Sequence, residues 1–189
     1  MQKSRLSHRA SGFTFVELAI VLVILLSALF VFSSTVSGMA KQRTSNRETH
    51  LAVEAARNRM ETLRATAFDA VYALYNRNPA DDPDGAGTAP GARFDVPGLD
   101  PRADALDGLE GEVVFPEFED PTDGWQLRED VTLAALGLPR DLSGDQRVDD
   151  QDHAGSYLLL PVQVRIRWRS PAGPREYTLS SQLCRYVKE

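Results

Sequence analysis

The sequence predicts an α+β fold: one long N-terminal helix, apolar in its first half, packed on a C-terminal antiparallel sheet. Three observations predict it. No proline occurs before Pro79, so nothing interrupts a helix over the first part of the chain. From Ala52 to Leu74 apolar residues recur at steps of three and four, the period of one helix face. Near the C-terminus two stretches alternate apolar and polar residues on either side of the turn "SPAGP", the period of a half-buried hairpin. The 189 residues leave room for one modest domain plus an extension.

The chain opens on a basic leader, residues 1–12. Lys3, Arg5 and Arg9 give it +3 with no acid, and residues 13–189 carry −9 of the −6 total. The apolar run Phe13–Phe32 follows, 20 residues. At about 1.5 Å per residue it matches a hydrocarbon core of roughly 30 Å. A basic flank before such a run predicts an N-terminus held in the cytoplasm. Signal-peptidase cleavage after Ala40, where Gly38 and Ala40 form a small-x-small pattern, is the alternative. The length of the run and the presence of Glu17 argue against it. A carboxylate deep in a bilayer costs about 2.5–3.5 kcal/mol, less near the interface. Glu17 therefore reads either as a tolerated interfacial charge or as a charge awaiting a partner. Cleavage after Gly12 would make Phe13 a new N-terminus, and its amine could pair with Glu17 on the same or a neighbouring chain.

Taken together, "GFTFVELAIVLVIL" resembles the N-terminal signature of type IV pilins and type II secretion pseudopilins. The resemblance implies cleavage after Gly12 by a prepilin peptidase, N-methylation of Phe13, and use of Glu17, fifth in the mature chain, in filament assembly. It also implies a bacterial inner-membrane location, single-pass, with a periplasmic C-terminal domain. The implied partners are other pilin or pseudopilin subunits, the prepilin peptidase/methyltransferase and an inner-membrane assembly platform. The strong match covers residues 3–35. Residues 13–35 are then the transmembrane and assembly helix.

Residues 36–76 are expected to continue that helix as an amphipathic half. Its stripe is Ala52, Ala56, Met60, Leu63, Ala67, Val71 and Leu74. Ser33, Ser34 and Gly38 mark the expected bend or local melting point. "NRMETLRATAFDAVYAL" is similar to the equivalent helix of minor pilins and minor pseudopilins. Residues 77–189 form the expected soluble, pilin-like domain. A Pro/Gly/Asp-dense stretch from Asn78 to Pro101 ends the helix as a long loop. "GEVVFPEFE" and "WQLREDVTL" are short strand candidates. "VQVRIRW" and "REYTLSSQLCRYV" form the closing hairpin, with Arg165 and Arg167 on a polar face expected to be solvated.

Residues 80–152 hold 20 Asp and Glu against 5 Arg. Within them "DLSGDQRVDDQD" places oxygen groups at positions 1, 3, 5, 9 and 12 of a loop: Asp141, Ser143, Asp145, Asp149 and Asp152. Arg147 stands where an EF-hand-type loop offers a backbone carbonyl. Calcium takes six to eight oxygens at about 2.3–2.6 Å, and this spacing wraps them round one point. The loop resembles that of dockerin modules, with Gln146 where glycine is expected and a strand instead of an exit helix afterwards. It reads as a calcium site or as an Asp-rich turn without metal. The calcium-stabilised loop of major pseudopilins is an analogy in favour of the first.

The acidic balance argues against nucleic-acid binding. One cysteine, Cys184, excludes an intrachain disulfide and is expected to be a small core residue. His8, His50 and His153 stand near no nucleophile, so no enzymatic role is expected. The expectation is a structural filament subunit. The alternative is a membrane-anchored calcium-binding module that never polymerises.

Overall fold

The computed structural model describes residues 14–122 and 124–185. The leader, Gly12 and Phe13 lie outside the described residues. The chain divides into two compact units, Met1–Arg43 and Thr44–Glu189. Helix α1, Phe15–Ala65, contributes to both.

In the first unit, the Thr14 hydroxyl accepts the Glu17 backbone N–H at 3.3 Å. Thr14 is thus the N-cap of α1 and Glu17 its N3 residue, the Thr-x-x-Glu order of a capping box. Apolar side chains from Phe15 to Met39 are exposed all round. The hydroxyls of Ser27, Ser34 and Thr35 donate to carbonyls three or four residues back. Their polarity is therefore satisfied within the helix, as a hydrocarbon environment requires. This helix, near the N-terminus, is long and apolar enough to cross a membrane. Local melting at Ser33–Ser34 or Gly38 does not occur: α1 continues as helix through all three residues.

In the second unit, burial along α1 begins at Ser45 and continues with Ala52, Ala56, Met60 and Leu63. The break comes after Ala65, and a short helix α2, Phe68–Tyr75, follows. The Thr62 and Thr66 hydroxyls donate to the carbonyls of Asn58 and Thr62, side-chain bonds of the kind that bend helices. The break resets the helical phase. Ala67, placed in the stripe by its spacing, is exposed, and Leu74 is only half-buried. Val71 is buried as its spacing predicts, and Tyr72 and Tyr75 enter the core beside it. Tyr72 meets Phe115 edge-on at 5.5 Å.

The main sheet has the order β1-β2-β5-β6, every pair antiparallel. Its strands are β1 Arg93–Phe94, β2 Gly111–Val114, β5 Leu159–Ser170 and β6 Gly173–Cys184. A separate hairpin pairs β3, Glu117–Asp120, with β4, Gly124–Leu127. Leu160, Val162, Val164, Ile166 and Trp168 alternate along β5, and all are buried. They join the α1 stripe and Val71, Tyr72 and Tyr75 in one core cluster. Trp168 donates its indole N–H to Glu48 of α1 at 3.3 Å, which satisfies the polar end of a buried ring.

Two expectations about the hairpin change. Cys184 is exposed, not a core residue, because Leu183 takes the inward position in the two-residue alternation. The polar face is not simply solvated. Arg165 donates to Glu112 on the neighbouring strand at 2.6 Å, and Arg167 stands 3.9 Å from the same carboxylate.

Candidate functional site

Below β4 the chain runs through Arg128, Glu129 and Asp130, and later returns beside it as the acidic loop. The two are tied by backbone bonds. Arg140 N–H donates to the Glu129 carbonyl at 3.1 Å, and His153 N–H to the Leu127 carbonyl at 2.8 Å. Leu142 is fully buried in the core, and its carbonyl accepts the N–H groups of Leu158 and Leu159 at the start of β5. The loop between these anchors therefore has fixed ends.

Inside the loop the bonds follow the spacing of its oxygens. Asp141 Oδ1 accepts Gly144 N–H at 2.6 Å and Oδ2 accepts Gln146 N–H at 2.7 Å. The Ser143 hydroxyl donates to Asp141 Oδ1 at 3.3 Å and accepts Asp145 N–H at 3.4 Å. Asp145 Oδ1 accepts Arg147 N–H at 2.8 Å. Gln146 has φ of 67°, the left-handed backbone that position six of such a loop demands. The residue type departs from the pattern, yet the backbone keeps to it. Desolvation pulls Asp141 upward, but the N–H groups of Gly144 and Gln146 outweigh it and hold its carboxyl below the ordinary carboxylate range.

Glu129 lies against this loop, fully buried. Its Oε1 accepts the N–H groups of Leu142 at 2.7 Å and Ser143 at 2.9 Å. Its Oε2 is buried and has no hydrogen-bond partner among the described residues. Carboxylate oxygens of Glu129, Asp141 and Asp145 lie within 4.8 Å of one another. On the other side, ligand atoms of Glu129, Asp149 and His153 do the same. His153 Nε2 stands 3.0 Å from Asp149 Oδ1 and 3.6 Å from Glu129 Oε1. These buried acidic and histidine groups could hold a metal ion.

The structure thus brings Asp141 and Asp145 together, with Ser143 between them, and sets Asp149 beside His153. Asp152 is in neither group; its Oδ1 accepts the N–H groups of Leu127 at 3.0 Å and Ala154 at 3.1 Å. Arg147 is exposed. Glu129 and His153 are the participants that spacing does not reveal. Glu129 lies 12 positions before Asp141, across a turn, and the Arg140–Glu129 and Leu127–His153 backbone pairings bring it in. Glu17 is exposed in the first turn of α1, the end at which a helix dipole favours negative charge.

A second charged cluster lies where α2 leads into the sheet. Arg77 contacts Glu112 at 2.7 Å and Glu117 at 3.7 Å, and stacks over Trp125 at 4.9 Å. Burial pushes the Glu117 carboxyl up to about 7, although Arg77 pulls the other way. Desolvation acts on Glu112 too, but its bond to Arg165, with Arg77 adding to it, brings that carboxyl below its ordinary value. The adjoining cleft, about 460 Å³, is lined by Arg77, Arg93, Asp107 and Trp125 among others. Both arginines are already paired with carboxylates, Arg77 with Glu112 and Arg93 with Asp107.

No family model, curated protein or solved structure matches this chain.

Proposed function

We propose that this chain is a structural subunit of a type IV pilus or type II secretion pseudopilus, inserted in the bacterial inner membrane and assembled through α1. One observation carries the reading. The first part of α1 exposes apolar side chains on every face, with a carboxylate, Glu17, in its first turn. Such a surface needs lipid, or the same surface of other copies, to cover it. The Gly12–Phe13 junction just before it supports a prepilin-type cut. Its partners are then other pilin or pseudopilin subunits, the prepilin peptidase/methyltransferase and the assembly platform, and its role is structural rather than enzymatic.

The mature mass and N-terminal peptide test the processing step. A start at Phe13 with one added methyl group supports the reading; a Met1 start leaves a plain anchored domain. Glu17 needs two variants, because its N3 position behind the Thr14 cap allows it a local role in closing a capping box. Glu17→Gln retains an N3 side chain that can close the box but removes the charge. Loss of filament incorporation in both Glu17→Gln and Glu17→Ala assigns the effect to charge. Normal incorporation of Glu17→Gln would overturn the pairing role.

The ion that best suits the loop is calcium. Asp141, Ser143 and Asp145 offer only oxygen, the donor type that hard cations select. If leader cleavage fails, this site becomes the main function, in a membrane-anchored calcium-binding module.

A further inference from the structure

We propose that Glu129, outside the acidic loop in sequence, is the buried ligand that closes the cation site, in the place that loop position 12, Asp152, would otherwise fill. The inference rests on the calcium reading above and goes beyond it in naming the ligand set: Glu129 with Asp141, Ser143 and Asp145.

The first ground is the state of Glu129 itself. It is fully buried, and no Arg or Lys among the described residues lies within ion-pair distance. Buried carboxylates persist in folds when they are hydrogen-bonded, paired or metal-bound. Here Oε1 is satisfied by two backbone N–H groups, while Oε2 has nothing. The second ground is position. The oxygens that Glu129, Asp141 and Asp145 present lie within 4.8 Å of one another, close enough to share one ion with bonds of about 2.3–2.6 Å. The third is the use already made of Asp152. Its Oδ1 accepts two backbone N–H groups on the Leu127 side, and it belongs to neither cluster. A carboxylate from the preceding segment thus supplies what a contiguous loop takes from its own end. A bound ion would add a further tie between the β4 exit and the acidic loop, beside their backbone bonds and the Glu129 and Asp152 side-chain bonds.

The experiment uses the full chain in detergent, with calcium chloride as the probe and chelator as reference, and reads the melting midpoint and the calcium affinity. Calcium is expected to raise the midpoint of the wild type and of Asp152→Asn, whose amide oxygen can still accept the Leu127 and Ala154 N–H groups. Glu129→Gln is expected to lose the rise. Its affinity should fall by about 100-fold or more, since indirect supporting groups alone are worth about 10–100-fold. Without calcium, Glu129→Gln should melt no lower than the wild type, because its amide oxygen still accepts from Leu142 and Ser143 while the buried charge is gone. Should that variant fold poorly, carbon-13 carboxyl resonances in the wild type decide. The Glu129 signal must move on calcium addition and the Asp152 signal must not.

No calcium response in the wild type would overturn the cation reading itself. A response that survives Glu129→Gln but disappears in Asp152→Asn would overturn the Glu129 assignment and leave the cation reading standing. A response to zinc alone, abolished by His153→Gln, would put the ion on the Asp149–His153 side and overturn the ligand set named here.

Discussion

Replacing Glu117 with glutamine should remove a pH dependence that the fold builds into itself. The Glu117 side chain is 2% exposed; its Oε1 accepts the Arg77 backbone N–H at 3.4 Å, while the Arg77 guanidinium stands 3.7 Å away, too far for a hydrogen bond, so neither contact offsets the burial. Glu112 and Asp81 add negative charge nearby. Its carboxyl therefore titrates at about 7 in the folded chain, against an ordinary value of 4.5. Between these values the folded chain holds a proton that the unfolded chain has released. Stability from this group is full below 4.5, falls as pH rises through the window, and is level above about 7. At 1.36 kcal/mol per pH unit, the loss is on the order of 3 kcal/mol. Glu112 and Asp141, held below their ordinary values, contribute the opposite slope, but below the window. Asp81, raised by burial, adds a slope of the same sign in both proteins and cancels from the comparison. Urea unfolding followed by tryptophan fluorescence, at about pH 5 and about pH 8, gives the difference. Relative to the wild type, Glu117→Gln should gain about 3 kcal/mol on going to the higher pH. An unchanged difference at the two pH values would mean that Glu117 ionises normally in the fold, and the burial argument would fail.

Two further outcomes are expected. Leu63→Ala removes a fully buried side chain from the α1 stripe and should cost about 2–5 kcal/mol, seen as a lower urea midpoint at unchanged slope; Leu22→Ala, on the exposed apolar part of the same helix, should leave that midpoint in place. Gln146→Gly relieves a left-handed residue at φ 67° and should raise stability by about 0.5–1 kcal/mol with or without calcium; a loss of stability would show that Gln146 makes a contact that outweighs its strain.

The elements whose pattern is local were readable from the residues. The alternation of Val162, Val164, Ile166 and Trp168 marks a strand with one buried face, and β5 is that strand, extended at both ends. The Ala52, Ala56, Met60 and Leu63 spacing marks the buried helix face for the same reason. What periodicity cannot carry is a phase reset without proline or glycine. The break at Thr66–Ala67, beside the threonine back-bonds and the packing of Tyr72 and Tyr75, turns Ala67 out to solvent, while Val71 stays buried and Leu74 packs against the core. The order of oxygens in the 141–152 loop was legible because each forms a bond within a few residues. Glu129 was not, because its approach depends on the backbone pairings Arg140–Glu129 and Leu127–His153 across a turn. The Thr14 cap is legible in the Thr-x-x-Glu order, although a charge inside an apolar run points first to lipid and pairing.

The continuity of α1 has a consequence for how this chain can drift. Within one unbroken helix, two rules of substitution operate. Before Arg43 the side chains face outward on every side, so apolar residues of different shape can replace one another and the folded domain is indifferent; only overall character is conserved. After Thr44 the buried positions are tied to individual shapes. Ala52 and Ala56 sit at 0% exposure, where a larger side chain would have to push the helix off its neighbours. Divergent versions of such a chain should therefore keep the first half as a composition and the second half as a spelling.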